Sequence, residues 1–155
     1  MIQRWTSKPL PLQVGAGGFS RVDLEFEGVA HDGPTFTALL YLNNPDVPEG
    51  AGRDESQNFA AGFTVFAHGD CWGALGHCEP LREPVSAFDL RPEHPLSPAN
   101  FTLDITDAVT RLAAERPMET VRVTALVSSE ADVRNGLLRF ETLTLVVYEA
   151  VSAAV

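Results

Sequence analysis

Apolar residues recur at every second position in short runs along this chain, separated by polar turns. Val22, Leu24 and Phe26 alternate with Arg21, Asp23, Glu25 and Glu27, the pattern of a strand with one buried and one wet face. His31-Asp32-Gly33-Pro34 then predicts a turn, because Asp-Gly accepts positive φ and Pro cannot extend a ladder. Over residues 35–43, Phe36, Ala38, Leu40 and Leu42 share one side and Thr37, Leu39 and Tyr41 the other. A strand apolar on both faces is expected at the centre of its sheet. Phe59, Ala61, Phe63 and Val65 mark a strand over 59–67, and Phe101, Leu103 and Ile105 another. Val121, Val123 and Ala125 follow, then Leu138, Phe140, Leu143, Leu145 and Val147. The change of phase between Phe140 and Leu143 predicts a bulge or turn near Glu141-Thr142.

One helix interrupts this pattern. Thr106 can cap a helix over 107–115, with Asp107 in its first turn, Val109, Leu112 and Ala113 as its buried stripe, and Arg116-Pro117 ending it. Residues 44–57 read as a loop, and Pro9, Pro11, Gly15, Gly17 and Gly18 make 1–19 an extended N-terminal arm. The expected fold is all-β: an antiparallel, jelly-roll-like or immunoglobulin-like sandwich of six or seven strands with one short helix near 107–115. A single domain over 20–149 is expected, carrying a long irregular loop over 69–99 and followed by a tail over 150–155.

Composition narrows the function. The chain has 155 residues, 45% of them hydrophobic and 21% charged, enough apolar material for one core without a staple. Eleven basic against 21 acidic residues give a net charge of -10 with no Lys/Arg cluster, which argues against nucleic acid or an anionic membrane as partner. Lys8 is the only lysine, so a Schiff-base site is not expected. The first residues lack the apolar run of a secretory signal and no apolar stretch is long enough for a transmembrane helix, so a soluble, cytoplasmic protein with reduced thiols is expected.

The long loop holds the unusual chemistry. His68-Gly-Asp-Cys71-Trp-Gly-Ala-Leu-Gly-His77-Cys78-Glu79 places two thiols, two imidazoles and two carboxylates among three glycines. His68, Cys71, His77 and Cys78 are candidate ligands for copper(I) or zinc, because thiolate and imidazole together suit those ions. The Cys71-to-Cys78 spacing is wider than in a zinc knuckle, which leaves open a structural or disulfide-prone pair, or a reactive thiol at Cys78 beside His77 and Asp70. Trp72 reads first as an anchor of the loop on the core, and His31 and His94 as solvated loop residues. No phosphate loop, nucleophile elbow or helical metal-ligand pair is present, so no catalytic residue is assigned and an enzyme is not expected.

The order Phe59-Ala-Ala-Gly-Phe63-Thr-Val-Phe66, a Cys/His-bearing loop, and Asn100-Phe-Thr-Leu-Asp-Ile-Thr-Asp107 before a short helix resembles the C-terminal β-sandwich domain of tyrosinases, polyphenol oxidases and molluscan haemocyanins. The likeness covers about residues 20–149. It implies the accessory part of a type 3 copper protein without the dicopper domain, a part that covers the copper-site entrance with an apolar plug. Phe88 and Leu90 are the candidates for such a plug, with Trp72 as a further docking aromatic. Some fungal relatives carry a Cys-x-x-x-Cys linked to copper loading, from which the spacing of Cys71 and Cys78 departs. The resemblance therefore implies a non-catalytic interaction domain whose partner is a tyrosinase-like dicopper protein or a second copy of the chain.

Overall fold

The computed structural model describes residues 1–14, 18–66, 88, 98–131 and 136–150. Two antiparallel sheets pack face to face. The first contains, in spatial order, β1 (Ile2–Thr6), β8 (Val123–Ser128), β4 (Phe36–Leu42) and β5 (Phe59–Val65); the second contains β6 (Ala99–Asp104), β3 (Phe19–Val29) and β9 (Thr142–Glu149). A two-residue ribbon joins β2 (Leu10–Pro11) to β7 (Thr120–Val121). The chain is an all-β sandwich with one short helix, α1 (Thr106–Glu115).

Period-two alternation places the core. Val22, Leu24 and Phe26 of β3 face Phe36, Ala38, Leu40 and Leu42 of β4 and Val123, Ala125 and Val127 of β8 in one buried cluster. The opposite side of β4 is covered as well. Tyr41 packs with Val47 and Leu126 in a second cluster, flanked by Leu39, Ala51 and Phe59. Segment 44–57 therefore folds over the outer face of the first sheet rather than running free. Arg4 Nη2 donates to the Val47 carbonyl at 2.6 Å, and the Tyr41 hydroxyl donates to the Gly52 carbonyl.

Three expectations change. Segment 1–19 contributes an edge strand: β1 pairs with β8 from Ile2 opposite Ser128 to Thr6 opposite Thr124. Trp5 packs against the main cluster, and Leu12 is buried in it. The strand escapes sequence reading because its inward positions are Gln3 and Trp5, only one of them apolar; the Gln3 side-chain carbonyl instead accepts from Leu137 N at 2.8 Å.

At the helix, Thr106 is a helical residue and not the cap. Ile105 occupies the cap position without a side-chain bond. The Thr106 N–H is taken by Asp104 Oδ1 at 2.9 Å, so an aspartate two residues earlier does the capping. The buried stripe is Ala108, Val109 and Leu112, with Ala113 only half-buried. Arg116 ends the helix in an extended conformation (φ -158, ψ 145), as expected of a residue preceding proline.

The single strand expected around Val121–Ala125 is divided at Arg122. Its N–H donates to Asn43 Oδ1 and its carbonyl accepts from Asn43 N, both at 2.8 Å. Asn43 sits in the left-handed region at φ 51, a conformation asparagine tolerates better than most residues. The phase change near Glu141-Thr142 is present: both are exposed, while Phe140 and Leu143 pack on the core. Among the described residues no helix is long and apolar enough to cross a membrane.

Candidate functional site

His68, Cys71, Trp72, His77, Cys78 and Leu90 lie outside the described residues, so their candidate roles as ligands or plug have no geometry here. Phe88 is described and is 92% exposed. The two ends of the segment that carries these residues are well placed. The chain leaves β5 after Val65, which is buried, through Phe66, which is 79% exposed. The next described strand is β6, which begins at Ala99.

Among the described residues β5 is an edge of the first sheet and β6 an edge of the second, so the strands that flank the segment adjoin at one side of the sandwich. Ring contacts lock that side. Phe63 of β5 stacks on Phe101 of β6 with centroids 4.5 Å apart and planes at 28°. Phe26 lies 5.3 Å from Phe63 and 5.1 Å from Phe140, and Phe140 meets Trp5 edge-on at 5.1 Å. Five rings thus run through the core from one edge to the other, each pair in the distance range where aromatic contacts are favourable. At the other end of β5, Arg111 of α1 donates to the Phe59 carbonyl at 3.0 Å. The base of the segment is therefore a rigid platform.

A second arrangement occupies the outer face of the other sheet. Asp23 and Asp104 are direct cross-strand partners, a like-charge opposition that is unfavourable unless neutralised. Arg21, two residues before Asp23 and on the same face, resolves it. Its Nε donates to both Asp23 oxygens at 2.8 and 2.9 Å and lies 3.9 Å from Asp104 Oδ2. Its guanidinium also lies 5.9 Å from the Tyr148 ring centre. Asp23 is only 1% exposed, a burial that pairing makes tolerable. The Thr106 hydroxyl donates to Asp104 Oδ1 at 2.6 Å and accepts from Val22 N at 2.9 Å, which ties α1 to both strands.

These bonds set the electrostatics. Hydrogen bonds from the Thr106 side chain and backbone, and then the charge of Arg21, hold the Asp104 carboxyl below its ordinary value. The bond to Asp23, and then its charge, raise the Arg21 guanidinium above its own. Both groups keep their charge at neutral pH, so the pair serves as fixed structure and offers no proton at that pH. A cavity of about 480 Å³ beside it is lined by Ser20, Arg21, Asp104, Thr106 and Asp107, among others. No group of three or more His, Cys, Asp or Glu that could hold a metal occurs among the described residues.

In the sequence, Arg21 and Asp23 stand out only as the wet positions of a strand, and Asp104 as a polar position between Leu103 and Ile105. The period-two pattern places them on one face of each strand. Their juxtaposition depends on strand register, for which the sequence carries no separate signal. Comparison of the chain with family models, curated proteins and solved structures finds no match.

Proposed function

We propose that this chain is a non-catalytic interaction domain that docks on a protein partner through the side of the sandwich from which segment 66–98 departs. The observation that carries this reading is Phe66, 79% exposed immediately after a strand held by the Phe63–Phe101 stack. A large aromatic side chain presented from a rigid element is the kind of anchor that dominates binding at interfaces, and Phe88, from the same segment, is 92% exposed. The order of β5, the Cys/His-bearing segment, β6 and α1 supports the resemblance to the accessory sandwich of type 3 copper proteins. On that basis the partner is a tyrosinase-like dicopper protein or a second copy of the chain.

Sedimentation of the chain alone and in a mixture with a tyrosinase-like dicopper protein tests the proposal. A complex or self-association weakened about tenfold or more by Phe66→Ser supports it, a loss of roughly 1.4 kcal/mol. A strictly monomeric chain that ignores such a partner overturns it.

The composition of segment 68–79 supports a second reading, a copper(I)- or zinc-binding module with His68, Cys71, His77 and Cys78 as ligands. Metal analysis of protein purified without chelators, with a thiol count on the same sample, tests it. Thiolates must lose protons to bind, so metal content should fall in acid and in Cys71→Ser and Cys78→Ser. Unchanged content in the double variant excludes this reading.

A further inference from the structure

At the end of the sandwich where α1 finishes, a cavity of about 450 Å³ is lined by Asn43, Arg116, Met118, Glu119 and Arg122, with three prolines among the remaining residues. Its volume falls in the range of small-molecule sites, roughly 300–1,000 Å³. Two arginines line it in a chain of net charge -10. Four of the other described arginines are engaged, Arg21 with Asp23, Arg111 with Glu55, Arg139 with Asp32 and Arg4 with the Val47 carbonyl, while Arg53, exposed on segment 44–57, stands apart from this cavity. The Arg116 and Arg122 guanidinium groups have no ion pair or hydrogen bond among the described residues.

The carbonyl end of a helix favours a cation, which accounts for Arg116. It does not account for Arg122, which lies between β7 and β8. The backbone at Arg122 is clamped on both sides by Asn43, whose amide nitrogen also reaches Met118 Sδ at 3.3 Å. Pro9, Pro45 and Pro117 stiffen the rest of the lining, because a proline ring fixes φ. The cavity is thus built from restrained backbone, with two cationic side chains at its lining and no anion paired to them among the described residues.

We propose that this cavity is a binding site for a small organic polycarboxylate. Each guanidinium presents paired N–H donors that match a carboxylate in bidentate fashion. Two of them favour a ligand bearing at least two carboxylates. Proline and methionine walls accommodate a carbon skeleton, which favours an organic acid over an inorganic anion; Glu119, also in the lining, repels an anion, and the two arginines outweigh its single charge. The site is independent of the docking side described above, so either proposal can fail without the other.

Calorimetric titration of the full chain with sodium citrate at low ionic strength, and with inorganic phosphate at matched ionic strength, tests this. Saturable citrate binding is expected, with Arg116→Gln and Arg122→Gln each weakening it about tenfold or more while leaving the melting temperature within a few degrees of the parent. Arg122→Lys should bind more weakly than the parent and more tightly than Arg122→Gln, because it keeps the charge and loses the fork. The Asn43 side-chain amide signal should shift with citrate in the parent, an NMR readout that does not depend on any variant folding. Absence of saturable citrate binding, equal affinity for phosphate and citrate, or citrate binding unaffected by both glutamine variants would each overturn the proposal.

Discussion

Gly28 and Glu141 occupy each other's space: a Cβ built on Gly28 would lie 2.5 Å from Glu141 Cγ. Gly28 also holds φ +69, where β3 slips register against β6 between Phe26 and Val29. Its N–H is taken by Asn100 Oδ1 at 3.0 Å. The bulge in β3 and the bend before β9 are thus one feature, seen from two strands. Gly28→Ala should cost about 1–2 kcal/mol for the left-handed backbone alone, with the clash in addition. Adding Glu141→Ala should relieve the steric part incompletely, because it removes Cγ and Cδ and leaves Glu141 Cβ 2.9 Å from the new methyl. Urea unfolding of the two single variants and the double variant measures the coupling, and equal cost of Gly28→Ala in both backgrounds would contradict it.

Tyr41 links the sheet to the segment that covers it. Burial, and then the negative charge of Asp54, raise its phenol above the ordinary value. The folded state therefore holds the proton more tightly than the unfolded state. This contribution to stability is fully present below the unfolded value of about 10 and is lost as pH rises through the higher folded value. Tyr41→Phe should cost about 1 kcal/mol at neutral pH through the bond to the Gly52 carbonyl. It should also flatten the alkaline decline, which thermal melts of parent and variant across that pH range will compare.

Asp104 works in the opposite direction. Its carboxyl is held low, so its contribution is present above the unfolded value of about 3.9 and is lost as pH falls through the lower folded value. The Asp104 side chain is half-exposed, which keeps the effect on stability small. Thr106→Val should raise the Asp104 titration midpoint, read by NMR. It should also cost about 1–3 kcal/mol, because Val22 N loses its acceptor in a buried setting. Thr106→Ser retains the hydroxyl and should leave both properties near those of the parent.

Trp5 distinguishes an integrated first strand from a loose arm. It packs on the core and meets Phe140 edge-on. Trp5→Ala should therefore destabilise the domain by about 2–4 kcal/mol, toward the lower part of the range for deeply buried aromatic truncations. A melting temperature unchanged by the substitution would show that residues 1–6 contribute little.

Much of the sandwich is legible in the chain itself. Strands such as β3 and β4 are set by local steric periodicity, since neighbouring side chains in an extended chain must point to opposite faces, and burial selects the apolar face. The helix end at Arg116 is equally local, dictated by the ring of Pro117. The candidate metal ligands were legible only as residue types, because coordination requires convergence in space and spacing along a loop does not specify it. Tertiary structure alone decided the rest. It paired β1 with β8 although only Trp5 marks its inward side, folded segment 44–57 over Tyr41, and set Asp23 opposite Asp104 with Arg21 between them. It also brought Arg116 and Arg122 to one cavity. The first and third depend on strand register between residues distant in sequence, and the other two on how a loop or helix end packs on its neighbours; neither propensity nor periodicity within a single segment encodes such relations.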